Sequence, residues 1–265
     1  MIRPMLCGIY KEGKVPFPCY VQPKLDGVRC LLTNNHAYTR NQKPHKDHIQ
    51  KLLSGINRWK DVTFDGELML KGGAFQQTVS AVKKDYKELT QKLKYCVYDY
   101  VGRENESFHD RMCDMNIIVP LIPPIIFVRT VMVHTQEELD YHHNEFICDG
   151  YEGSIIRDLH QPYLPGSRKA MWKRKDFKDA EFTIVGFEEG EGKNAGTPVF
   201  KCSCNSSGDS THVFGCVPMG TYDKKRKMWE DRDSLIGRMM TVRYQELTDD
   251  GVPRFPVGVE IRDYE

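Results

Sequence analysis

Up to Lys175 the chain alternates short β-rich runs with short helical patterns and never settles into a regular βαβ spacing. That rhythm points to an antiparallel α+β domain, because a doubly wound parallel sheet needs a helical crossover between paired strands. The β-rich runs cover residues 15–19 leading into a strand-like run around Lys24, then 28–32, 62–70, 95–101, 151–158 and 170–175. The run at 28–32 is expected to be the hairpin partner of the one before it. Residues 46–59 carry Ile49, Leu52, Leu53 and Ile56 at helical spacing. Residues 75–84 read as a second helix. Thr135-Gln136-Glu137-Glu138 opens a third, reaching Phe146, with a capping-box pattern. After Asp179 the character changes. Residues 180–265 offer five short strands at 182–187, 198–204, 212–217, 239–246 and 258–261. They also hold a turn at Asp249-Asp250-Gly251 and an expected helix at 231–238. Five strands in so short a stretch suit a small closed barrel of the OB kind. The expected organisation is therefore a domain of residues 1–179 followed by a barrel of residues 180–265.

Where the first two strands meet stands Lys24-Leu25-Asp26-Gly27-Val28-Arg29, preceded by Val21-Gln22-Pro23. A deprotonated lysine amine can attack the α-phosphate of a nucleotide and hold the nucleotidyl group as a phosphoramidate. Neighbouring cations favour the free amine. Gly27 lets the backbone come close to a ligand, and Arg29 offers a planar fork to a carboxylate or phosphate. Asp26-Gly27 is equally an ordinary turn dipeptide. Further along, Phe64-Asp65-Gly66-Glu67-Leu68 sets a carboxylate in an apolar strand, a costly placement unless it is paired or meets a ligand. Glu67 is thus a candidate for a ribose hydroxyl or a metal, or a polar residue on a half-exposed strand. Tyr95-Cys96-Val97-Tyr98-Asp99-Tyr100 offers aromatics at alternate positions, for core packing or for stacking on a base. Glu152-Gly153-Ser154-Ile155-Ile156-Arg157 repeats the carboxylate-in-a-strand theme. Trp172-Lys173-Arg174-Lys175 puts Lys173 and Lys175 on one strand face, where two ammonium groups suit a phosphate or line a solvated edge.

Composition narrows the class. With 40% hydrophobic and 28% charged residues, the 265-residue chain reads as an ordinary soluble protein. Its longest apolar runs, at 117–119 and 125–128, are far too short to span a bilayer. Met1-Ile2-Arg3-Pro4 begins no apolar signal core. Nine cysteines without a paired framework suit a reducing cytoplasm. The net charge is only +1. Residues 1–179 hold 27 Lys+Arg against 22 Asp+Glu, and residues 180–265 hold 11 against 15. A basic larger part is compatible with a phosphate-backbone partner. Cys202, Cys204, His212 and Cys216 could be written as a zinc set. Yet Phe200, Cys202 and Cys204 alternate along one strand and His212, Phe214 and Cys216 along the next, the stripes expected inside a barrel.

Taken together and in this order, these segments resemble the covalent nucleotidyltransferase superfamily, and within it the ATP-dependent DNA ligases of the small viral and bacterial type. The resemblance runs from about Pro4-Met5-Leu6 through the rest of the chain. It implies an adenylylation domain followed by an OB domain, with Lys24 as the residue that becomes adenylylated. Gln22 matches a position that reads the adenine edge. Arg29, with Asp26 and Gly27, completes the nucleotide-accepting motif. Thr39-Arg40-Asn41-Gln42-Lys43 is similar to a segment that contacts the nucleotide and the 5′-phosphate through Arg40, with Gln42 where the pattern has glycine. By the same resemblance Glu67 binds ribose or metal, Tyr98 stacks on adenine, Glu152 serves the metal, and Lys173 and Lys175 hold the α-phosphate. Asp179-Ala180-Glu181-Phe182 followed by residues 190–196 is similar to the ligase entry into the OB domain. Arg262 matches an arginine that orients pyrophosphate, but the usual Asp-Lys ending is replaced by Asp263-Tyr264-Glu265, which leaves Arg254 to share the role. The implied partners are ATP, Mg²⁺ and nicked duplex DNA, acting on a cytoplasmic monomer with no membrane partner. Only 23 residues precede Lys24, too few for a nicotinamide-binding module, so ATP is expected rather than NAD. Two alternatives stay open at this point: an RNA ligase or mRNA-capping guanylyltransferase, and a nucleic-acid-binding relative that has lost catalysis.

Overall fold

The computed structural model describes residues 2–56, 62–70, 72–73, 75–118, 125–204, 212–248 and 250–262. Trp59, Val119, Asp249 and the final Asp263-Tyr264-Glu265 lie outside them. The chain divides into two compact units, Met1–Lys175 and Asp176–Glu265.

In the first unit the elements run β1 (Gly8–Ile9), β2 (Cys19–Pro23), β3 (Val28–Thr33), β4 (His36–Thr39), α1 (Asp47–Leu52), β5 (Thr63–Leu70), α2 (Phe75–Lys83) and α3 (Lys87–Lys92). They continue with β6 (Leu93–Val101), α4 (Phe108–Ile118), β7 (Ile125–Phe127), β8 (Val131–Val133), α5 (Gln136–Cys148), β9 (Ser154–Asp158) and β10 (Met171–Arg174). The strands form two five-stranded sheets, ordered β1-β10-β9-β2-β8 and β4-β3-β5-β6-β7. Pairing is antiparallel except between β1 and β10 and between β6 and β7.

The expected hairpin between the first two strands does not form. β2 pairs with β8 and β9 in one sheet, whereas β3 pairs with β4 and β5 in the other. The lysine motif is therefore the crossing between sheets, not a turn. All five residues of β2 are buried, as suits a central strand with both edges paired. The helix expected over 46–59 is shorter. It ends at Leu52, and Leu53 and Ile56 are buried in the turn beyond it. At α5 the Thr135 hydroxyl accepts the Glu138 N–H at 3.2 Å, while the Glu138 carboxylate accepts the N–H of His134, one residue ahead of the cap, at 2.7 Å. The strand expected from residue 151 starts only at Ser154, so Glu152 stands in the loop before β9 rather than in a strand. Lys175 likewise follows the end of β10.

One core packs helices α1 and α2 with the second sheet through Ile49, Phe64, Ala81, Tyr95 and Phe108. Another joins β2 to α5 through Val21, Leu139, Phe146 and Ile156. Leu139, His143 and Phe146 recur at helical spacing along α5 and are its buried face.

In the second unit β11 (Lys178–Glu189), β12 (Pro198–Ser203), β13 (Val213–Pro218), β14 (Met239–Tyr244) and β15 (Val257–Ile261) close into a barrel ordered β11-β12-β13-β15-β14. Cys202 and Cys216 are fully buried in it beside Ile184, Phe200 and Val242, whereas His212 is exposed. Asp179 lies inside β11, paired with Arg243 at 2.8 Å. The helix expected over 231–238 is replaced by a 3₁₀ turn at Arg232–Leu235, and the α-helix, α6 (Tyr222–Glu230), comes earlier. α6 buries none of its residues. Only Met228 and Trp229 turn toward the barrel, so the apolar signal in the sequence is short and the Thr221 cap is the main local signal for the helix.

Candidate active site

The lysine motif opens on a cleft of about 510 Å³ in the first unit. Two backbone hydrogen bonds stitch Lys24 to the loop before β9: its N–H donates to the Gly153 carbonyl at 2.8 Å, and its carbonyl accepts the Glu152 N–H at 3.1 Å. Gly153 has φ 145°, and a Cβ there would lie 2.1 Å from the Arg174 carbonyl oxygen. This close approach draws the loop against the end of β10. The side chains meet as a consequence. Glu152 bonds Lys24 through one oxygen and Lys175 through the other. Burial pushes the Glu152 carboxyl up, but Lys24 and Lys175 outweigh it and hold the group below its ordinary range. Burial also lowers Lys175, helped by Lys24 and Lys173 and opposed by Glu152.

Gly27 is required for a different reason. A Cβ on it would stand 2.7 Å from the Leu68 carbonyl oxygen. Without one, the crossing lies flat on β5, and the Gly27 N–H donates to Glu67 at 2.9 Å. Glu67 is pushed up to about 7 from 4.5 by burial, with Lys24, the Gly27 N–H and Arg29 pulling the other way. Arg29 grips the fully buried Asp65 with two bonds, at 2.9 and 2.5 Å.

Tyr98 occupies an irregularity in the β5–β6 ladder, where Asp65 pairs with Asp99 and Gly66 with Val97. The bulge leaves Tyr98 unpaired and turns its ring into the cleft. The guanidinium carbons of Arg29 and Arg157 lie 5.7 and 5.6 Å from the ring centroid. At the same end of the cleft stands Gln22, on the all-buried β2.

Of the residues singled out in the sequence, Gln22, Lys24, Gly27, Arg29, Arg40, Glu67, Tyr98, Lys173 and Lys175 all line this cleft. Glu152 reaches it through its two lysine partners, while Asp26 is half-buried and does not line it. Arg40 follows β4 in a turn where Gln42 takes φ 61°, the left-handed conformation that glycine would adopt freely. Arg254 and Arg262 belong to the second unit. Arg254 pairs with Glu246, and Arg262 donates to Thr241 at 2.9 Å and pairs with Glu181 and Glu260. Sequence reasoning missed Arg157 and Arg168, which line the cleft, and Thr130, whose hydroxyl accepts from Gln22 at 2.9 Å. Arg157 left one signal, a cation directly after the apolar pair Ile155-Ile156.

The family model for the ATP-dependent DNA ligase domain matches residues 4–175. This chain belongs to the ATP-dependent DNA ligase family. A DNA ligase OB-like domain matches residues 189–262, in the part that closes into the barrel. The DNA ligase of African swine fever virus (isolate Pig/Kenya/KEN-50/1950) is 26% identical over 270 residues, covering 92% of this chain and 63% of that protein. A probable DNA ligase of Streptomyces griseus is also 26% identical, covering 88% of this chain and 48% of its own. The chain thus spans less than two thirds of these curated relatives. Among solved structures, the Chlorella virus DNA ligase-adenylate is 28% identical with a TM-score of 0.59, covering 100% of this chain and 99% of that one. A Lig E DNA ligase, described as binding DNA with a minimal scaffold, superposes with a TM-score of 0.81 over 98% of each chain at 22% identity, a likeness of fold. These matches do not favour an RNA ligase or a capping guanylyltransferase.

Proposed function

We propose that the chain is an ATP-dependent DNA ligase that seals nicks between a 3′-hydroxyl and a 5′-phosphate in duplex DNA. The observation that carries the reading is the meeting of Lys24, Glu152 and Lys175 in a cleft that also holds Gln22 and Tyr98. The Lys24 amine attacks the α-phosphorus of ATP, a P–N bond forms, and the bond to pyrophosphate breaks. The AMP then passes to the DNA 5′-phosphate, freeing the amine, and the 3′-hydroxyl displaces AMP as the phosphodiester forms. Tyr98 offers a face to the base. Lys173, Lys175 and Arg40 offer cationic charge to the phosphates, with Arg29 locked on Asp65 beside them.

Among the described residues no group of three or more His, Cys, Asp or Glu is arranged to hold a metal. Mg²⁺ suits the site nonetheless, because this ion is commonly held by one or two carboxylates together with substrate phosphates. Glu67 fits that part directly. Glu152 fits it only when its two lysines turn to the substrate. When bound, Mg²⁺ would neutralise charge on the phosphate oxygens.

We assign adenylylation to residues 1–179 and an OB part to residues 180–265, with Arg254 and Arg262, both ion-paired with glutamates of the second unit, given a part in handling the pyrophosphate. We assign the chain to a reducing, cytoplasmic compartment as a monomer; its nine cysteines are free, and among the described residues no helix is long and apolar enough to cross a membrane.

The test uses a nicked duplex and Lys24→Ala. This variant should fail to seal an ordinary nick with ATP but still join one supplied already adenylylated, because the last step does not use the amine as nucleophile. Sealing of the ordinary nick by Lys24→Ala would end the proposal.

A further inference from the structure

Gln22 is only 2% exposed, and the hydrogen bonds of its amide are almost fully assigned. Its Nε2 donates to the Tyr98 carbonyl at 3.1 Å and to the Thr130 hydroxyl at 2.9 Å. Its Oε1 accepts from Arg157 Nε at 3.1 Å. Each partner can act in one direction only. The Tyr98 carbonyl can only accept, a guanidinium can only donate, and the Thr130 hydroxyl has spent its proton on the Val128 carbonyl at 2.9 Å. The amide therefore cannot flip. Both amide hydrogens are consumed, and the capacity left over is the second lone pair of Oε1, an acceptor.

Arg157 is held as firmly as the amide it fixes. It is 1% exposed, bonds Asp99 at 2.8 Å, and lies 4.6 Å over the Phe108 ring. Asp99 is clamped in turn by Arg111 at 2.7 and 3.2 Å.

We propose that Arg157 is a positioning residue for base selection: with Tyr98 and Thr130 it locks Gln22 as an acceptor, so that the cleft takes a base with an exocyclic amino group and rejects one with a carbonyl in its place. At C6 adenine has the amino group and guanine the carbonyl, whose lone pairs would face those of Oε1 without a proton between them. A site committed in this way discriminates through the unpaired group that the wrong ligand leaves behind. The proposal rests on the cleft being the nucleotide site.

The experiment measures covalent labelling of the full chain with α-labelled ATP or GTP and Mg²⁺, as the ratio of initial rates at subsaturating nucleotide. Three variants dissect the lock. Arg157→Lys keeps a cation for Asp99 but removes the Nε donor. Thr130→Val removes the hydroxyl at similar size. Gln22→Leu removes the amide. The parent should favour ATP, and Arg157→Lys and Thr130→Val should each lower the ATP:GTP ratio by about tenfold or more, the worth of one hydrogen bond. In a Gln22→Leu background Arg157→Lys should change the ratio no further, which a general structural role would not predict. The ratio is internal to each preparation, so partial loss of fold cancels, and Thr130→Val decides the matter should Arg157→Lys not fold. An unchanged ratio with a parent that labels from ATP overturns the role of Arg157 alone. A parent that labels from neither nucleotide overturns the nucleotide-site reading, and this proposal with it.

Discussion

The two ends of the cleft hold their charges in opposite ways. At the glutamine end, Asp99 is 0% exposed and Arg111 and Arg157 each 1%. Every bond there runs between fixed partners. At the lysine end, Glu152 shares itself between Lys24 and Lys175, whose side chains keep 20% and 13% of their exposure. Buried ion pairs are costly to assemble and costlier to break, whereas ammonium groups that keep a part of their exposure can exchange one anion for another. Selection of a base needs a surface that does not move. Transfer of a nucleotidyl group needs cations that can leave a carboxylate for a phosphate. On the proposed reading, the cleft pairs rigid recognition at one end with exchangeable charge at the other.

The largest effect should come from breaking the rigid end. Asp99→Asn leaves two buried guanidinium groups without their anion and should cost about 3–5 kcal/mol of stability, read from the urea midpoint. Glu152→Gln should cost only about 1–2 kcal/mol. Equal losses would erase the contrast between the two ends.

Glu67 sharpens the comparison because burial and cations compete for it. Its carboxyl, raised to about 7 from 4.5, binds more protons in the folded state than in the unfolded one between those values. Stability from this group is thus complete below pH ~4.5 and is lost as pH rises through ~7. Above that pH, Glu67→Gln should be more stable than the parent by at most roughly 3 kcal/mol, and near pH 4 the two should melt alike. A difference independent of pH would show that the carboxylate is not held against its preference. Smallest of all, Gln42→Gly should raise stability by no more than ~1 kcal/mol, since it relieves the left-handed φ beside Arg40. A lowered melting temperature would mean that the Gln42 side chain contributes more than its backbone strain costs.

The residues that carry local chemistry were legible without coordinates. Lys24, Glu67, Lys173 and Lys175 stand out because an amine, a carboxylate in an apolar run and paired ammoniums on one strand face are informative in isolation. What escaped depends on partners distant in sequence. The β2–β3 hairpin was a sound local inference, but pairing is decided by β8, β9 and β5, which lie far along the chain. Arg157 and Thr130 matter only because β9 and the start of β8 place them on either side of Gln22. The barrel was legible from its period-2 stripes, whereas α6 was not, because only Met228 and Trp229 turn toward the barrel and leave too short a period.

The central claim is that Lys24 takes the nucleotidyl group. Incubating the full chain with α-labelled ATP and Mg²⁺, denaturing it and mapping the labelled peptide by mass tests this without any DNA. The account predicts a denaturation-stable adduct with the mass of AMP on Lys24, absent from Lys24→Ala. An adduct on another residue, or one that persists in Lys24→Ala, would contradict it.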